Sequence, residues 1–314
     1  MAKKKKVCIT GSGGFLFGNF IRQIFFAKKP YSISSIDRVR ETHLIHNIYI
    51  NADHSFYIAD VRDQHTLHVI LQKEKPDVVI HGAAETKTNN PHDLTTNNVV
   101  GTQNVIDECI KTNSKLIYIS TDSVFGELSN SEALWTEESL LNPRNLYSST
   151  KAAGELLVKA AGITSGLKYN ILRCANNYGP WQGPDKLIPR TISSILNSEE
   201  IQIHGKGNQI RDWMHVYDTC SAIFCIIDSA PNNEVYNISA KQEFMNLEVA
   251  QIVCNTIGKG HDLLKHVEDQ GRDFRRAMNN DKIKALGWEP KFKFRAGIEQ
   301  TCQWYIDNKY VLKM

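Results

Sequence analysis

Six short runs rich in β-branched residues follow one another through the first half of the chain: Val7 to Thr10, Ser32 to Asp37, Ser55 to Ala59, Asp77 to His81, Lys115 to Ser120 and Lys168 to Arg173. Most are apolar enough to be buried on both faces, the pattern of a parallel sheet covered on both sides. Helical stretches at Asn19 to Ala27, Thr66 to Glu74, Leu94 to Thr112 and Ser148 to Ala161 stand between them. This β-α-β-α rhythm predicts an α/β fold on a doubly wound parallel sheet. After Tyr178 the pattern changes: Gly179, Pro180, Gly183, Pro184 and Pro189 mark irregular backbone, and shorter, more polar elements follow. At 314 residues the chain is long enough for a second, smaller unit.

The glycines Gly11, Gly13 and Gly14 follow the first strand and precede a helix expected to begin near Phe17. There they let backbone N–H groups approach a pyrophosphate, and the helix N-terminus adds a favourable dipole. Asp37 ends the second strand, where a carboxylate binds an adenosine ribose diol and repels a 2′-phosphate. The pattern favours NAD, while Arg38 and Arg40 beside Asp37 keep NADP open. We therefore expect residues 1–175 to form a Rossmann domain, with a returning segment near 210–240. Residues 176–314 would form mainly a smaller, interleaved substrate domain.

Tyr147 and Lys151 stand four apart at the start of a helix and share a face. An ammonium beside a phenol lowers its pKa and fits Tyr147 to take a proton from a substrate hydroxyl. The preceding strand ends in Ser120, Thr121, Asp122 and Ser123, hydroxyl and carboxylate groups placed to hold the same substrate oxygen.

Composition closes off other classes. Lys and Arg number 37 against 34 acidic residues, a net charge of +3 that offers no polyanion-binding surface beyond the Lys3 to Lys6 tail. No nucleic-acid partner is expected. Residues 10–14 interrupt any signal-peptide core, and no run approaches the ~20 apolar residues of a membrane span, so a cytoplasmic protein is expected. Seven cysteines form no C-x-x-C and no set at zinc-ligand spacing; reduced thiols and no metal are expected.

Taken in order, the motifs resemble the extended short-chain dehydrogenase/reductase family of nucleotide-sugar enzymes, most closely its dTDP-glucose 4,6-dehydratases. The series runs through Thr10 to Phe15, Asp60-Val61, His81 to Glu85, Asn98 in N-x-x-G-T, Ser120 to Gly126 as S-T-D-x-V-F-G, Tyr147 to Lys151 as Y-S-S-T-K, and Asn176 to Pro180. It continues through Asp185 to Pro189, Gly205 to Gly207, Ile210 to Trp213, Tyr236 to Ile238 and Lys284 to Trp288.

The resemblance implies that Thr121, Tyr147 and Lys151 form a catalytic triad that oxidises a sugar at C4 with NAD, with Asp122 beside them. It implies a cofactor site of Gly11, Gly13, Gly14, Phe15, Leu16, Asp37, Arg38, Asp60, Val61, Ala83, Ala84, Glu85, Asn98, Ser120, Tyr147, Lys151 and Cys174. For the nucleotide-diphosphate sugar it implies Lys87, Ser123, Asn176, Lys186, Leu187, His204, Arg211, Asn237 and Arg272. Cations and amides also suit a dianionic diphosphate on electrostatic grounds alone.

The chain departs from that pattern where it matters most. The dehydratases carry Asp-Glu after the catalytic Thr, the Asp protonating the leaving C6 hydroxyl and the Glu removing the C5 proton; here the pair is Asp122 and Ser123. A serine hydroxyl cannot act as base towards a carbon acid at pH 7. The 4-epimerases usually have small or hydroxyl residues there, so Ser123 looks epimerase-like. Phe17 replaces the third glycine of the loop, with Gly18 one place later, which leaves the start and packing of the first helix open. His204 stands where an aromatic commonly stacks on the base, and Glu268 to Asp273 replaces D-R-P-G-H-D, with Arg272 standing in for an arginine absent at Asp269. The resemblance therefore does not extend to a thymidine base.

The leading expectation is NAD-dependent oxidation at C4 that stops at the 4-keto sugar, with 4-epimerase and 4,6-dehydratase as alternatives. Tightly bound NADH would then need exchange or a second small-molecule oxidant. A non-enzymatic NAD sensor is disfavoured by the complete triad. A homodimer or higher homo-oligomer is expected through Leu94 to Thr112 and Ser148 to Ala161, with Val99, Val105, Ile106, Leu156, Leu157 and Ala160 as its apolar surface.

Overall fold

A computed structural model describes residues 4–38, 54–86, 90–268 and 271–313. The strands are β1 Lys5–Thr10, β2 Tyr31–Asp37, β3 His54–Ile58, β4 Val78–His81, β5 Lys115–Thr121, β6 Tyr169–Cys174, β7 Asn176–Tyr178, β8 Ile201–His204, β9 Ile210–His215, β10 Glu234–Ile238, β11 Glu243–Met245, β12 Leu264–Val267 and β13 Arg275–Arg276. The helices are α1 Phe15–Phe26, α2 Gln64–Glu74, α3 Pro91–Thr95, α4 Gly101–Thr112, α5 Leu146–Ser165, α6 Leu187–Asn197, α7 Val216–Ser229, α8 Asn246–Ile257, α9 Asp281–Lys284 and α10 Phe294–Asp307.

The main sheet has seven strands in the order β10-β6-β5-β4-β1-β2-β3, all pairs parallel. The order reverses at β1, so β1 and β4 diverge into their connections and open a crevice at their C-terminal ends, where ligands of such sheets bind. On one face the core joins β1, β2 and β4 to Phe17, Phe20, Ile21 and Ile24 of α1 and to Ile223, Ile226 and Ile227 of α7. On the other it joins Leu67 and Leu71 of α2, Val105 and Cys109 of α4 and Val158 of α5. A separate core holds Ile192 of α6, Val249 and Val253 of α8 and Ile298 and Tyr305 of α10. It lies beside a small sheet in which β9 pairs with β7, β11 and β13.

Three sequence expectations change. The first helix starts at Phe15, two residues before Phe17, with Gly14 at its N-cap. Phe17 is 3% exposed, and its ring fills the space where a side chain at Gly82 would stand. The stretch Leu94 to Thr112 is not one regular helix, because a π-helical turn at Thr96–Val100 joins α3 to α4. Val105 and Ile106 are fully buried against the sheet and cannot form an oligomer surface; the exposed apolar residues of those helices include Val100, Leu156 and Ile163.

All seven cysteines are free. Among the described residues, no His, Cys, Asp and Glu group could hold a metal, and no helix is long and apolar enough to cross a membrane.

Candidate active site

A cavity of roughly 240 Å³ lies over the β1, β2 and β4 ends, lined by Gly11, Gly13, Gly14, Asp37, Arg38, Asp60, Val61, Ala83, Ala84 and Asn97 among others. Gly11 has φ +75°, and a Cβ there would stand 2.6 Å from Ala83 N, so only glycine lets the β1 and β4 loops meet this closely. The Asp37 carboxylate accepts from Gly13 N–H at 2.8 Å. Ser12 Oγ is buried at the helix entrance without a partner, a donor suited to an anion at the α1 N-terminus. The glycine cradle, the Asp37 carboxylate and this orphaned hydroxyl fit a dinucleotide.

Arg38 donates to Glu85 at 2.8 Å across the mouth, so its charge is engaged by a carboxylate rather than presented to a 2′-phosphate. Asn98 braces the groove instead of lining it. Its amide accepts from Glu85 N–H at 2.7 Å and donates to Thr150 Oγ1 at 3.0 Å, tying the β4 loop to α5. The liner is its neighbour Asn97, which the sequence reading missed; both sit on the π turn, a distortion common at functional sites. Phe15 and Leu16 are half-buried in the first turn of α1, packed against the core.

Thr121 closes β5, with Cys174 opposite it on β6. Its hydroxyl lies 3.2 Å from both Asp122 Oδ1 and Ser123 Oγ and accepts from Ser123 N–H at 3.3 Å. Ser120 is engaged elsewhere: its hydroxyl donates to buried Glu155 at 2.5 Å, and Glu155 pairs with buried Arg173 at 2.7 Å. Cys174 is buried, and burial pushes its thiol up to about 12.

Asn145 caps α5 by accepting from Ser148 N–H at 2.9 Å, which fixes the first turn that carries Tyr147. Lys151, one turn on, is 3% exposed, with Nζ 4.1 Å from the Tyr118 ring centre. Burial lowers this lysine to about 7. Tyr147 moves the other way from the sequence expectation. Burial, followed by the Asp122 carboxylate, raises the phenol to about 12, against the opposing pull of Arg276.

A second cavity, of roughly 620 Å³, is walled by Asn176, Lys186, Leu187, His204, Arg211 and Arg272, all named from sequence. It also takes Arg144, Arg190 and Arg276, which the sequence reading missed, so six cations face Asp185 and Asp273. Arg211 is 5% exposed, and its guanidinium donates to the carbonyls of Phe274 and Asp273. Burial and then Arg276 lower it to about 9, and burial and then Arg272 lower Arg190. Buried, closely spaced cations of this kind suit a dianion. Asn237 does not belong here. It is fully buried on β10 and donates to the Trp135 carbonyl at 3.2 Å, because β10 extends the main sheet on its β6 side. Lys87 lies outside the described residues.

Arg276 joins the two regions: Nη1 is 3.4 Å from Asp122 Oδ1, and Nη2 donates to Asn176 Oδ1 at 3.3 Å. The Arg275-Arg276 pair after Asp273 was the sequence signal available for it.

Residues 7–239 match the model of the NAD dependent epimerase/dehydratase family. The chain is 32% identical to a dTDP-glucose 4,6-dehydratase of Streptomyces niveus, over 97% of this chain and 94% of that one. It is 34% identical to the low-salt glycan biosynthesis protein Agl12 of Haloferax volcanii, over 96% and 99%. The crystal structure of a dTDP-glucose 4,6-dehydratase from Bacillus anthracis in complex with NAD superposes with a TM-score of 0.93 at 32% identity, covering 98% of this chain and 99% of that one.

Proposed function

Because the chain belongs to the NAD-dependent epimerase/dehydratase family, we propose that it oxidises a nucleotide-diphosphate sugar at C4 to the 4-keto sugar and stops before water is lost. In this reading residues 1–175 and the returning 210–240 segment carry the cofactor, and 176–314 mainly the nucleotide sugar. The cations of the larger cavity hold the diphosphate, and the sugar reaches past Arg276 to Thr121 and Tyr147. NAD, when bound, accepts the electron pair of the broken C4–H bond. Thr121 orients the C4 hydroxyl, Tyr147 takes its proton as the carbonyl forms, and Lys151 supplies positive charge one turn behind. Turnover would then require cofactor exchange or a second small-molecule oxidant.

The observation that carries this reading is Ser123. It is 2% exposed and within hydrogen-bond reach of Thr121 Oγ1, and it stands in the sequence where the resemblance to the dehydratases puts the Glu that removes the C5 proton. A serine alkoxide is far too unstable to serve. The neighbouring carboxylate, Asp122, is engaged by Arg276. The same hydroxyl supports a second reading, a 4-epimerase that returns the hydride to the other face of the ketone.

The test is incubation with dTDP- and UDP-linked sugars and NAD, with and without an added oxidant, with products identified by NMR and mass. A 4-keto sugar that retains its C6 oxygen supports oxidation alone. A 6-deoxy-4-keto product overturns it for dehydratase, and an inverted C4 for epimerase.

A further inference from the structure

Lys151 is almost completely buried, yet among the described residues its Nζ makes no ion pair and no hydrogen bond. The carboxylate one turn along the helix, Glu155, is taken up by Arg173 and Ser120. What Nζ does meet is the face of Tyr118 on β5, 4.1 Å from the ring centre. The same tyrosine holds the lysine a second time, because its hydroxyl donates to the Lys151 carbonyl at 3.2 Å. Gly154 makes room for it: a Cβ there would stand 2.1 Å from the tyrosine oxygen. Fully buried, Tyr118 thus fixes both the backbone and the head group of Lys151. Burial, followed by Glu155, raises its phenol well above the usual range, so the ring stays neutral. The negative face of such a ring attracts a cation most strongly where water is excluded.

We propose that Tyr118 is a positioning residue whose ring takes the place of a counter-ion for Lys151, holding its ammonium charged and in place one turn from Tyr147. This rests on the C4-oxidation reading only for the use to which that charge is put. Around Lys151 stand Tyr147 and Glu155 on α5, His81 on β4 and Cys174 on β6, with Asp122 after β5 acting on Tyr147 and Cys174. Burial, with the Lys151 charge behind it, holds His81 down at about 3. Burial, followed by Asp122, holds Tyr147 and Cys174 up at about 12. None of these three titrates between pH 6 and 8, whereas Lys151, at about 7, does.

The test reads Lys151 directly, apart from any reaction. Protein labelled with 13C-lysine is titrated by NMR without nucleotide, the Lys151 signal being assigned by its loss in Lys151→Arg. Tyr118→Phe, which keeps the ring, should titrate within about 0.3 pH unit of the native protein, and Tyr118→Leu about one unit lower. Phenylalanine analogues with one, two and three ring fluorines at position 118 separate this from repacking. Fluorine drains the ring face at nearly constant shape, so the Lys151 titration should step down with each addition. At saturating NAD, single-turnover NADH formation by Tyr118→Leu, relative to native, should fall from about one half at pH 6 to about one ninth at pH 8. That is the course of a lysine moved one unit below about 7. A merely structural loss lowers the rate by one factor at every pH. A Lys151 titration that ignores ring fluorination overturns the proposal, and a rate ratio constant with pH overturns the positioning role. Absence of hydride transfer in the native protein, with the titrations as expected, would instead overturn the proposed reaction and leave the Tyr118 and Lys151 pair standing.

Discussion

The Phe17 ring lies where a side chain at Gly82 would have to go, so the first turn of α1 and the loop after β4 interlock over the crevice. The bulky residue in the glycine-rich segment is accommodated by a glycine in the loop after another strand. Gly82→Ala should therefore cost about 1–3 kcal/mol of stability through overpacking. Phe17→Leu in the same chain should recover much of that loss although it is destabilising alone, a coupling that a double-mutant cycle by urea unfolding reads directly. Additive losses would mean the two sites do not interlock.

Tyr147→Phe should leave nucleotide-sugar affinity nearly intact and lower hydride transfer by about two to four orders of magnitude, the worth of a general base. Because the phenol stands at about 12 in this structure, the fraction able to accept a proton grows with pH, while Lys151, at about 7, loses its charge over the same range; single-turnover NADH formation should therefore rise from pH 7 to 9 by less than tenfold per pH unit. Ser123→Ala should barely change that rate, since the hydroxyl has no proton to abstract. If Ser123→Ala is inactive and Tyr147→Phe is not, the roles are reversed.

Lys151 illustrates a functional group held at a cost to the fold. Burial lowers its ammonium from 10.5 to about 7. The unfolded chain thus binds the extra proton between those values, and the folded state is penalised most at and below pH 7. Lys151→Met should abolish hydride transfer, weaken NAD and yet raise the melting temperature of the protein without added nucleotide. That gain should shrink as pH rises toward 10.5. A lower melting temperature at pH 7 would show that the Tyr118 ring contact outweighs desolvation.

His81 gives a pH dependence of the same sign in a more acidic window. Its Nε2 lies 3.0 Å from Thr102 Oγ1, whose hydroxyl donates to the Asn98 carbonyl, so Nε2 carries the proton and Nδ1 accepts from Thr10 at 2.7 Å. Burial, with the Lys151 charge behind it, lowers the ring from 6.5 to about 3. The stability this neutral ring contributes is complete above pH 6.5 and lost as pH falls toward 3, at about 1.4 kcal/mol per pH unit per proton. Denaturant midpoints measured between pH 6.5 and 4.5 should fall less steeply in His81→Gln by that one proton.

The sheet was legible because its central strands are buried on both faces and their β-branched runs are nearly continuous, as in Val78 to His81. The cofactor loop was legible because Gly11, Gly13 and Gly14 must be contiguous. The π turn at Thr96–Val100 was not, since its residues fit a helical pattern and only the register of hydrogen bonds betrays it. The cationic cavity was half legible. Lys186 and Arg211 sit in recognisable motifs, whereas Arg144, Arg190 and Arg276 come from distant segments that only the tertiary fold brings together. Asn237 lies off the cavity wall because a motif fixes a residue's strand but not whether its amide turns to a pocket or to a neighbouring loop.

Beneath Thr121, the Glu155 carboxylate receives three guanidinium contacts from Arg173 and the Ser120 hydroxyl, with both charged side chains almost completely buried. Ser120 pairs with Arg173 across β5 and β6, so this cluster sets the register of the strand end that carries Thr121. Removing one partner leaves an uncompensated buried charge, and Glu155→Leu should cost about 3–5 kcal/mol. Replacing both, with Glu155→Leu and Arg173→Met, should recover most of that loss, because well-packed apolar groups escape the desolvation penalty that the pair carries. The double variant should still form NADH more slowly than the native protein at equal nucleotide-sugar saturation, since stability returns without the hydrogen bond that fixes Ser120. Full stability together with a native rate would show that Glu155 and Arg173 only fill the core.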